Sequence, residues 1–222
     1  LDVHALLPPT GWIAGPELLR HTLKPRPLNF HKGNAGSVAI IGGASGMCGA
    51  ALLAGRAALR LGAGRVYVGL LDHAAPGFDA NALELMLRHP DETLGLDLDS
   101  LVVGPGLGQG ERAETLLGAA LASDIACVLD ADALNLLAQS DDLKQACVRR
   151  TADTLITPHP AEAARLLGTN TRNVQDDRLS AARMLRERYN AHVVLKGNGS
   201  VLVALDGHWF IGASSSTAGS SS

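Results

Sequence analysis

Short apolar runs alternate with amphipathic stretches along most of this chain. Each run is bounded by glycine, proline or polar residues, a pattern that is typical of strands buried on both faces of a sheet. The runs predict six strands, at Ser37 to Gly42, Val66 to Leu71, Leu101 to Val103, Ala126 to Leu129, Thr154 to Ile156 and Val193 to Leu195.

Helical patterns occupy the spaces between these runs. They predict helices at Gly49 to Leu61, Glu111 to Leu121, Ala133 to Ala138, Pro160 to Leu167 and Asp177 to Tyr189. Strands and helices that alternate in this way form a mainly parallel sheet with right-handed crossovers and helices on both faces, an α/β fold. Near the end, Val201 to Ala204 and His208 to Ile211 predict a hairpin that gives the sheet an antiparallel edge.

The two ends of the chain differ in character from this central part. Residues 1–35 contain five prolines, and we expect them to form a lead-in on the surface, with one short helix around Glu17 to Thr22 and with the sheet beginning afterwards. Residues 212–222 are rich in serine, which is typical of a flexible linker or an incomplete end. We predict a single domain over residues 1–222.

Composition narrows the classes of function. The net charge is −3, and no Lys or Arg cluster is interleaved with aromatic residues, so neither nucleic-acid binding nor a membrane-surface helix is supported. Cys48, Cys127 and Cys147 are too widely spaced for a disulfide framework or a metal pair. No apolar run approaches the ~20 residues of a membrane-spanning helix. We therefore expect a cytoplasmic protein with a small-molecule ligand.

Two glycine-rich turns follow predicted strands, at Gly42 to Gly49 and at Gly104 to Gly108. Glycines let the backbone approach a ligand, and the N-terminus of the following helix favours an anion. The alternative is a tight turn required for packing alone. A nicotinamide-dinucleotide fold with Asp72 on the ribose is disfavoured, because the order G-x-G-x-x-G is absent.

Polar residues follow three further strands. Asp130 and Asp132 end one strand; Asp132 can cap the next helix or act through Mg²⁺ on a phosphate, and we interpret Asp130 as structural. His159 and Glu162 either initiate a helix or contact a ligand, and their position beside the other motifs favours the ligand. The turn Lys196 to Ser200 suits a nucleotide phosphate, with a solvated hairpin turn as the alternative.

Together these segments resemble one family, the ADP- or ATP-dependent NAD(P)H-hydrate dehydratases. The order and spacing of seven segments match that family: His31, Lys32 and Gly33 with Gly36; Gly42 to Ala51; Leu59 to Gly64; Gly104 to Gly108; Leu129 to Asn135; Thr157 to Glu162; and Lys196 to Ser200. The resemblance covers residues 30–211, and T-P-H-P-x-E and D-A-D-A-L-N are its most specific stretches. It implies a ribokinase-like three-layer sandwich.

The resemblance also implies a reaction. Water is lost from the hydrated nicotinamide ring of NADH or NADPH, by phosphorylation of the ring hydroxyl from ADP or ATP with Mg²⁺ and elimination of phosphate. Members of this family are also found fused to, or working with, an NAD(P)H-hydrate epimerase, and we expect a homo-oligomer. The alternatives are a ribokinase-like kinase of a vitamin precursor alcohol and a nucleotide-binding sensor without turnover.

Site residues can be carried over position by position. The hydrate-binding positions of the family match Ala50, Gly106, Gly108 and His159, and its adenine-nucleotide positions match Lys196, Gly197, Asn198, Gly199 and Ser200. Asp132, Asn135 and Glu162 match positions near the phosphate and metal.

The match fails at the catalytic position. The family has a G-[ST]-G-D turn after the hairpin, whose Asp acts as base on the hydroxyl. Thr217 to Ser220 resemble its start, but Ser221 and Ser222 stand in place of its Gly and Asp. The catalytic residue therefore stays unassigned.

Overall fold

A computed structural model of the protein describes residues 10–15 and 35–212. Within these residues, ten strands form one sheet: β1 (Trp12–Ala14), β2 (Ser37–Gly42), β3 (Arg65–Leu70), β4 (Met86–Arg88), β5 (Ser100–Val103), β6 (Ala126–Leu129), β7 (Thr154–Ile156), β8 (His192–Leu195), β9 (Val201–Val203) and β10 (Trp209–Gly212). The helices of the same residues are α1 (Cys48–Leu61), α2 (Pro90–Leu94), α3 (Glu111–Ala122), α4 (Asp132–Gln139), α5 (Asp141–Val148), α6 (Pro160–Leu167), α7 (Thr171–Asp176) and α8 (Arg178–Tyr189).

The sheet is mixed and mostly parallel. Its strand order is β1-β10-β9-β8-β7-β6-β5-β2-β3-β4. All neighbouring pairs from β8 to β4 are parallel, whereas β9 runs antiparallel to both β8 and β10. The predicted α/β sheet with an antiparallel hairpin towards one side is thereby confirmed.

The predicted elements are present with bounds that agree to within one residue. The prediction that the sheet begins after residue 35 is wrong, because β1 pairs in parallel with β10 at the edge. Sequence patterns did not predict the short elements β4, α2, α5 and α7. The predicted helix at 17–22 and the serine-rich end after residue 212 lie outside the described residues.

The two faces of the sheet are covered differently. On one face, helices α3, α4, α5, α6 and α8 bury a continuous aliphatic core that includes Leu101, Leu129 and Ile156. On the other face, α1 covers β2 and β3 through Ile40 and Val68. Within the described residues, the side chains of β5 to β8 on this second face are only half-buried. Burial on both faces therefore holds for β2 and β3, and burial on one face for the strands beyond them.

The three cysteine thiols are free, and their surroundings make them unreactive. Cys127 and Cys147 are buried in the main core, and burial raises the pKa of the Cys147 thiol to about 12. Burial also raises the pKa of Cys48, with the Asp72 carboxylate adding to the shift. A thiol whose pKa is raised is a poor nucleophile at neutral pH.

None of the helices in the described part of the chain could cross a membrane.

One buried arginine closes the end of α3. The Arg150 guanidinium donates to the carbonyl oxygens of Leu121 at 2.8 Å, Ser123 at 2.7 Å and Ile125 at 2.6 Å, and its Nε donates to the Thr154 hydroxyl at 2.9 Å. The last carbonyls of a helix have no partner within the helix, and a cation there also meets the negative end of its dipole. Arg150 therefore joins the end of α3 to the starts of β6 and β7.

Substitution of Arg150 by Met should lower the free energy of unfolding by about 3 kcal/mol, because several buried carbonyls lose their donors together. Urea denaturation followed by circular dichroism measures the change. Arg149→Met is the matched control, since Arg149 is the exposed neighbour in sequence, and it should change stability by less than about 0.5 kcal/mol. Equal effects of the two substitutions would contradict this role for Arg150.

Candidate functional site

The predicted motifs converge on one edge of the sheet. The two glycine-rich turns follow β2 and β5, the Asp130 to Asp132 segment follows β6, His159 follows β7, and Lys196 follows β8. These five strands are neighbours in the sheet and run parallel. We call this side the carboxyl edge, where open α/β sheets bind ligands.

The two glycine-rich turns are bonded to each other through their backbones. The Gly43 N–H donates to the Pro105 carbonyl at 3.1 Å and the Ala44 N–H to the Gly106 carbonyl at 2.6 Å. Gly106 has a φ of +62°, and a Cβ there would lie 2.6 Å from the Met47 carbonyl oxygen and 3.4 Å from the Ala50 Cβ. Ala50 is exposed in the first turn of α1. Two predicted hydrate-binding residues, Ala50 and Gly106, are thus adjacent, and the missing side chain of Gly106 leaves the space between them open.

The end of β6 reaches the same turns. The Asp132 carboxylate accepts a hydrogen bond from the Gly108 N–H at 2.9 Å. The prediction that Asp132 caps α4 is wrong: Ala131 is the N-cap residue, and Asp132 is already in the helix. Ala131 has a φ of +50°, which is strained for a residue with a side chain. This turn starts the helix one residue early and directs the carboxylate towards Gly108.

Lys196 lies among carboxylates. Its Nζ is 2.7 Å from Asp130 Oδ1 and 4.0 Å from Glu162 Oε2. Interpreting Asp130 as merely structural therefore missed a member of this charged cluster. The signal for it was the presence of two carboxylates in the D-A-D segment, because helix capping could explain at most one of them. In the structure capping explains neither, since Ala131 is the N-cap residue.

His159 initiates α6. Its Nδ1 accepts from the backbone N–H groups of Ala161 at 3.1 Å and Glu162 at 3.4 Å, and the Glu162 carboxylate accepts from the His159 N–H at 2.8 Å. This reciprocal arrangement is a capping box, so the helix-initiating interpretation is confirmed. Since Nδ1 accepts, the ring proton is assigned to Nε2, which lies 3.1 Å from Glu162 Oε1. The His159 side chain is 46% exposed, so contact with a ligand stays a prediction.

Arg178 holds the turn from Lys196 to Ser200 in place by hydrogen bonds to backbone carbonyls. The Arg178 guanidinium donates to the Asn198 carbonyl at 2.8 Å and to the Leu195 carbonyl at 3.1 Å. A Cβ on Gly197 would lie 2.8 Å from Arg178 Nη2, so this glycine accommodates the guanidinium. Sequence reasoning missed Arg178, because it comes from the start of α8 and only the fold brings it under the turn.

Asn135 occupies the first turns of α4, where its side-chain oxygen accepts from Arg165 Nη1 at 2.7 Å. This contact links α4 to α6.

Within residues 10–15 and 35–212, no group of three or more His, Cys, Asp or Glu residues has the arrangement of a metal site. Asp130 and Glu162 nevertheless converge on the Lys196 ammonium, and Mg²⁺ commonly takes one or two carboxylates together with phosphate oxygens. These residues therefore fit a metal ion that arrives with a nucleotide.

Comparison with known proteins identifies the family. The model of the NAD(P)H-hydrate dehydratase family matches residues 38–221. The chain belongs to this family. Among relatives of this family, the ADP-dependent (S)-NAD(P)H-hydrate dehydratase of Neisseria meningitidis is 40% identical over 198 residues, which cover 87% of this chain and 67% of the relative.

The bifunctional NAD(P)H-hydrate repair enzyme of Escherichia coli is 41% identical over 208 residues. These residues cover 87% of this chain but 39% of that enzyme, so the chain spans well under half of the length of this bifunctional relative.

Solved structures of known proteins have the same fold. The ADP/ATP-dependent NAD(P)H-hydrate dehydratase of Bacillus subtilis, co-crystallised with ATP and Mg²⁺, superposes with a TM-score of 0.78 at 27% identity, covering 91% of this chain and 72% of that one. A ribokinase-like protein of Enterococcus faecalis superposes with a TM-score of 0.76 at 24% identity, covering 92% of this chain and 72% of that one. The ribokinase-like fold implied by the sequence is thereby confirmed.

Gly106→Ala should destabilise this dehydratase-family fold more than Gly46→Ala. Both glycines have positive φ values, +62° and +77°, but a Cβ at Gly46 meets nothing within 4 Å whereas one at Gly106 meets the Met47 carbonyl. The strained backbone costs each variant about 1 kcal/mol, and the collision adds about 1–3 kcal/mol to Gly106→Ala alone. Urea denaturation of both variants measures the difference. Equal losses of unfolding free energy in the two variants would show that the turn at Gly106 can move away from Met47 without cost.

Proposed function

We propose that this chain dehydrates hydrated NADH or NADPH in a reaction that consumes ADP or ATP, and so regenerates the reduced nicotinamide nucleotide. The observation that carries the proposal is the convergence of Lys196, Asp130 and Glu162 at the carboxyl edge beside the bonded glycine turns. A cation between carboxylates suits a nucleotide phosphate and its metal, and a wall of backbone suits a flat ring. The named activities of the Neisseria and Bacillus relatives support the same reaction.

The chemistry replaces a poor leaving group with a good one. The ring hydroxyl oxygen attacks the terminal phosphorus of the nucleotide, and the bond from that phosphorus to the bridging oxygen breaks. The ring carbon–oxygen bond then breaks to release phosphate, while a proton leaves the adjacent ring carbon and the carbon–carbon double bond forms. Mg²⁺ bound with the nucleotide supplies charge neutralisation on the transferring group.

The chain's residues divide this work along the carboxyl edge. We assign the hydrate to Ala50, Gly106, Gly108 and His159, and the nucleotide to Lys196, Gly197, Asn198, Gly199 and Ser200. Asp132, Asn135 and Glu162 stand near the transferred phosphate and the metal. Asp130, the ion-pair partner of Lys196, joins this group.

His159 acts on the hydrate through one nitrogen. Its Nδ1 is engaged by the backbone of α6, so Nε2–H is the group available to donate to a substrate oxygen. The base that takes the hydroxyl proton stays unassigned, because Ser221 and Ser222 stand where the Gly and Asp of the family are expected. We further propose that the protein is a cytoplasmic homo-oligomer that works with, or is fused to, an NAD(P)H-hydrate epimerase, as the bifunctional relatives suggest.

The full-length protein, incubated with hydrated NADH, ADP and Mg²⁺, should restore the ultraviolet absorbance of the reduced nicotinamide ring. Omission of either ADP or Mg²⁺ should abolish the recovery, because phosphorylation precedes elimination. Absence of recovery with both ADP and ATP would reject the proposal. A stable phosphoester as product would identify a kinase instead.

Lys196→Ala should weaken binding of ADP with Mg²⁺ by about tenfold or more, since a charge-assisted contact to phosphate is worth about 1.5–3 kcal/mol. Calorimetric titration measures the dissociation constant, and Lys144→Ala on α5 is the matched control. The fold should persist, because the Lys196 side chain is 40% exposed. Unchanged affinity would place the phosphate elsewhere.

A further inference from the structure

A second concavity lies on the carboxyl edge, at the ends of β3 and β4. It has a volume of about 280 Å³, and its lining includes Asp72, His73, Pro76, Arg88, His89 and Glu92. We call it the β3–β4 pocket. None of these side chains has a role in the chemistry assigned above, yet they combine acceptors, donors and flat rings around one cavity.

Asp72 is fixed in this pocket and keeps capacity to accept hydrogen bonds. Its N–H donates to the Gly43 carbonyl at 3.0 Å, which joins the pocket to the first glycine turn. Its Oδ1 accepts from the Ala74 N–H at 2.9 Å, and its Oδ2 lies 3.8 Å from the Cys48 thiol. A carboxylate has about four lone-pair positions, so acceptor positions remain for a ligand.

Two neighbouring imidazole rings give the pocket aromatic faces. The ring centroids of His73 and His89 are 4.8 Å apart with an interplanar angle of 42°. Both residues are exposed, and Leu70 and Leu87 line the same cavity with apolar surface. Aromatic faces and apolar surface together suit a planar heterocycle.

We propose that the β3–β4 pocket binds the adenosine end of the dinucleotide hydrate, with Asp72 accepting from the ribose hydroxyls and the His73 and His89 rings packing against adenine. This inference rests on the proposed function. The carboxylates of Asp72 and Glu92 outnumber the single guanidinium of Arg88, and this balance favours hydroxyl donors over a phosphate.

The strand order gives the substrate its direction. The nucleotide turn follows β8, the hydrate positions follow β7, β5 and β2, and β3 and β4 lie beyond β2 on the opposite side. The nicotinamide end must face the phosphoryl donor, so the adenosine end points towards β3 and β4. Strands lie ~4.8 Å apart, and the ends of β5 and β4 are therefore separated by ~14 Å, a span that an extended dinucleotide bridges.

The test compares two hydrated substrates, NADH and the reduced nicotinamide mononucleotide, which lacks the adenosine end. The full-length wild-type protein should prefer hydrated NADH by about tenfold or more in kcat/KM, equivalent to one hydrogen bond to a charged group. Asp72→Asn, which keeps an acceptor for the Ala74 N–H, and His73→Ala should each lower this preference through a higher KM for hydrated NADH. Turnover of the mononucleotide should not change. Glu84→Gln is the matched control, since Glu84 is an exposed carboxylate of the same connection outside the pocket.

Three results separate the possible failures. Equal kcat/KM for the two hydrates in the wild type, or equal losses for both in Asp72→Asn, would overturn the adenosine pocket while leaving dehydration intact. Turnover of neither hydrate would reject the proposed function. A binding measurement tests the pocket without turnover. Titration with adenosine should shift the ring-proton NMR signals of His73 and His89 in the wild type, and should shift them less in Asp72→Asn. Unshifted signals in the wild type would overturn the pocket whatever the turnover results.

Discussion

The site depends on the contact of three strand ends with no side chains between them. A Cβ on Gly42 would overlap the Pro105 carbonyl oxygen, and one on Gly104 would overlap the carbonyl oxygen of Asp130. The ends of β2, β5 and β6 consequently touch through backbone alone. This contact sets where Ala50 and Asp132 stand relative to each other, because each lies in the first turn of a helix that follows one of these strand ends. The wall presented to a ligand is therefore rigid backbone.

At the other end of the site, Lys196 lies between two carboxylates that differ in how firmly they are held: Glu162 is fixed, and Asp130 is exchangeable. The Glu162 side chain is 7% exposed, accepts a hydrogen bond from the backbone N–H of His159 and lies 3.1 Å from the His159 ring, so it is held at the start of α6. The pair of Lys196 and Asp130 is less buried, with side chains 40% and 33% exposed. Ion pairs with this exposure contribute little to stability. In the proposed site, a nucleotide phosphate would therefore replace Asp130 at Lys196 at small cost, and the released carboxylate would be free for a metal ion.

The predictability of each part follows from the range of the interactions that form it. Continuous apolar runs such as Ser37–Gly42 mark their own strands, because burial depends on local composition. β1 has three residues and exists by pairing with β10, almost two hundred positions later in the chain, so no local pattern announces it. Arg150 and Arg178 likewise have their roles through carbonyls that only the folded chain presents. Of the site, the strand-end motifs were predictable, whereas the ion pair of Asp130 and the hydrogen bond from the Gly108 N–H to Asp132 required the three-dimensional arrangement.

His159 shows that a structural and a ligand-binding interpretation of one residue can hold together. Capping of α6 uses Nδ1 and the backbone N–H of His159, and thereby fixes the ring plane and its tautomer. Fixing the ring costs nothing further when a ligand arrives, because the rotamer entropy is already lost in the free protein. The remaining ring nitrogen, Nε2, lies 3.1 Å from Glu162 Oε1. In the proposed site, a substrate oxygen near that nitrogen would compete with the Glu162 carboxylate, which the backbone N–H of His159 holds in place.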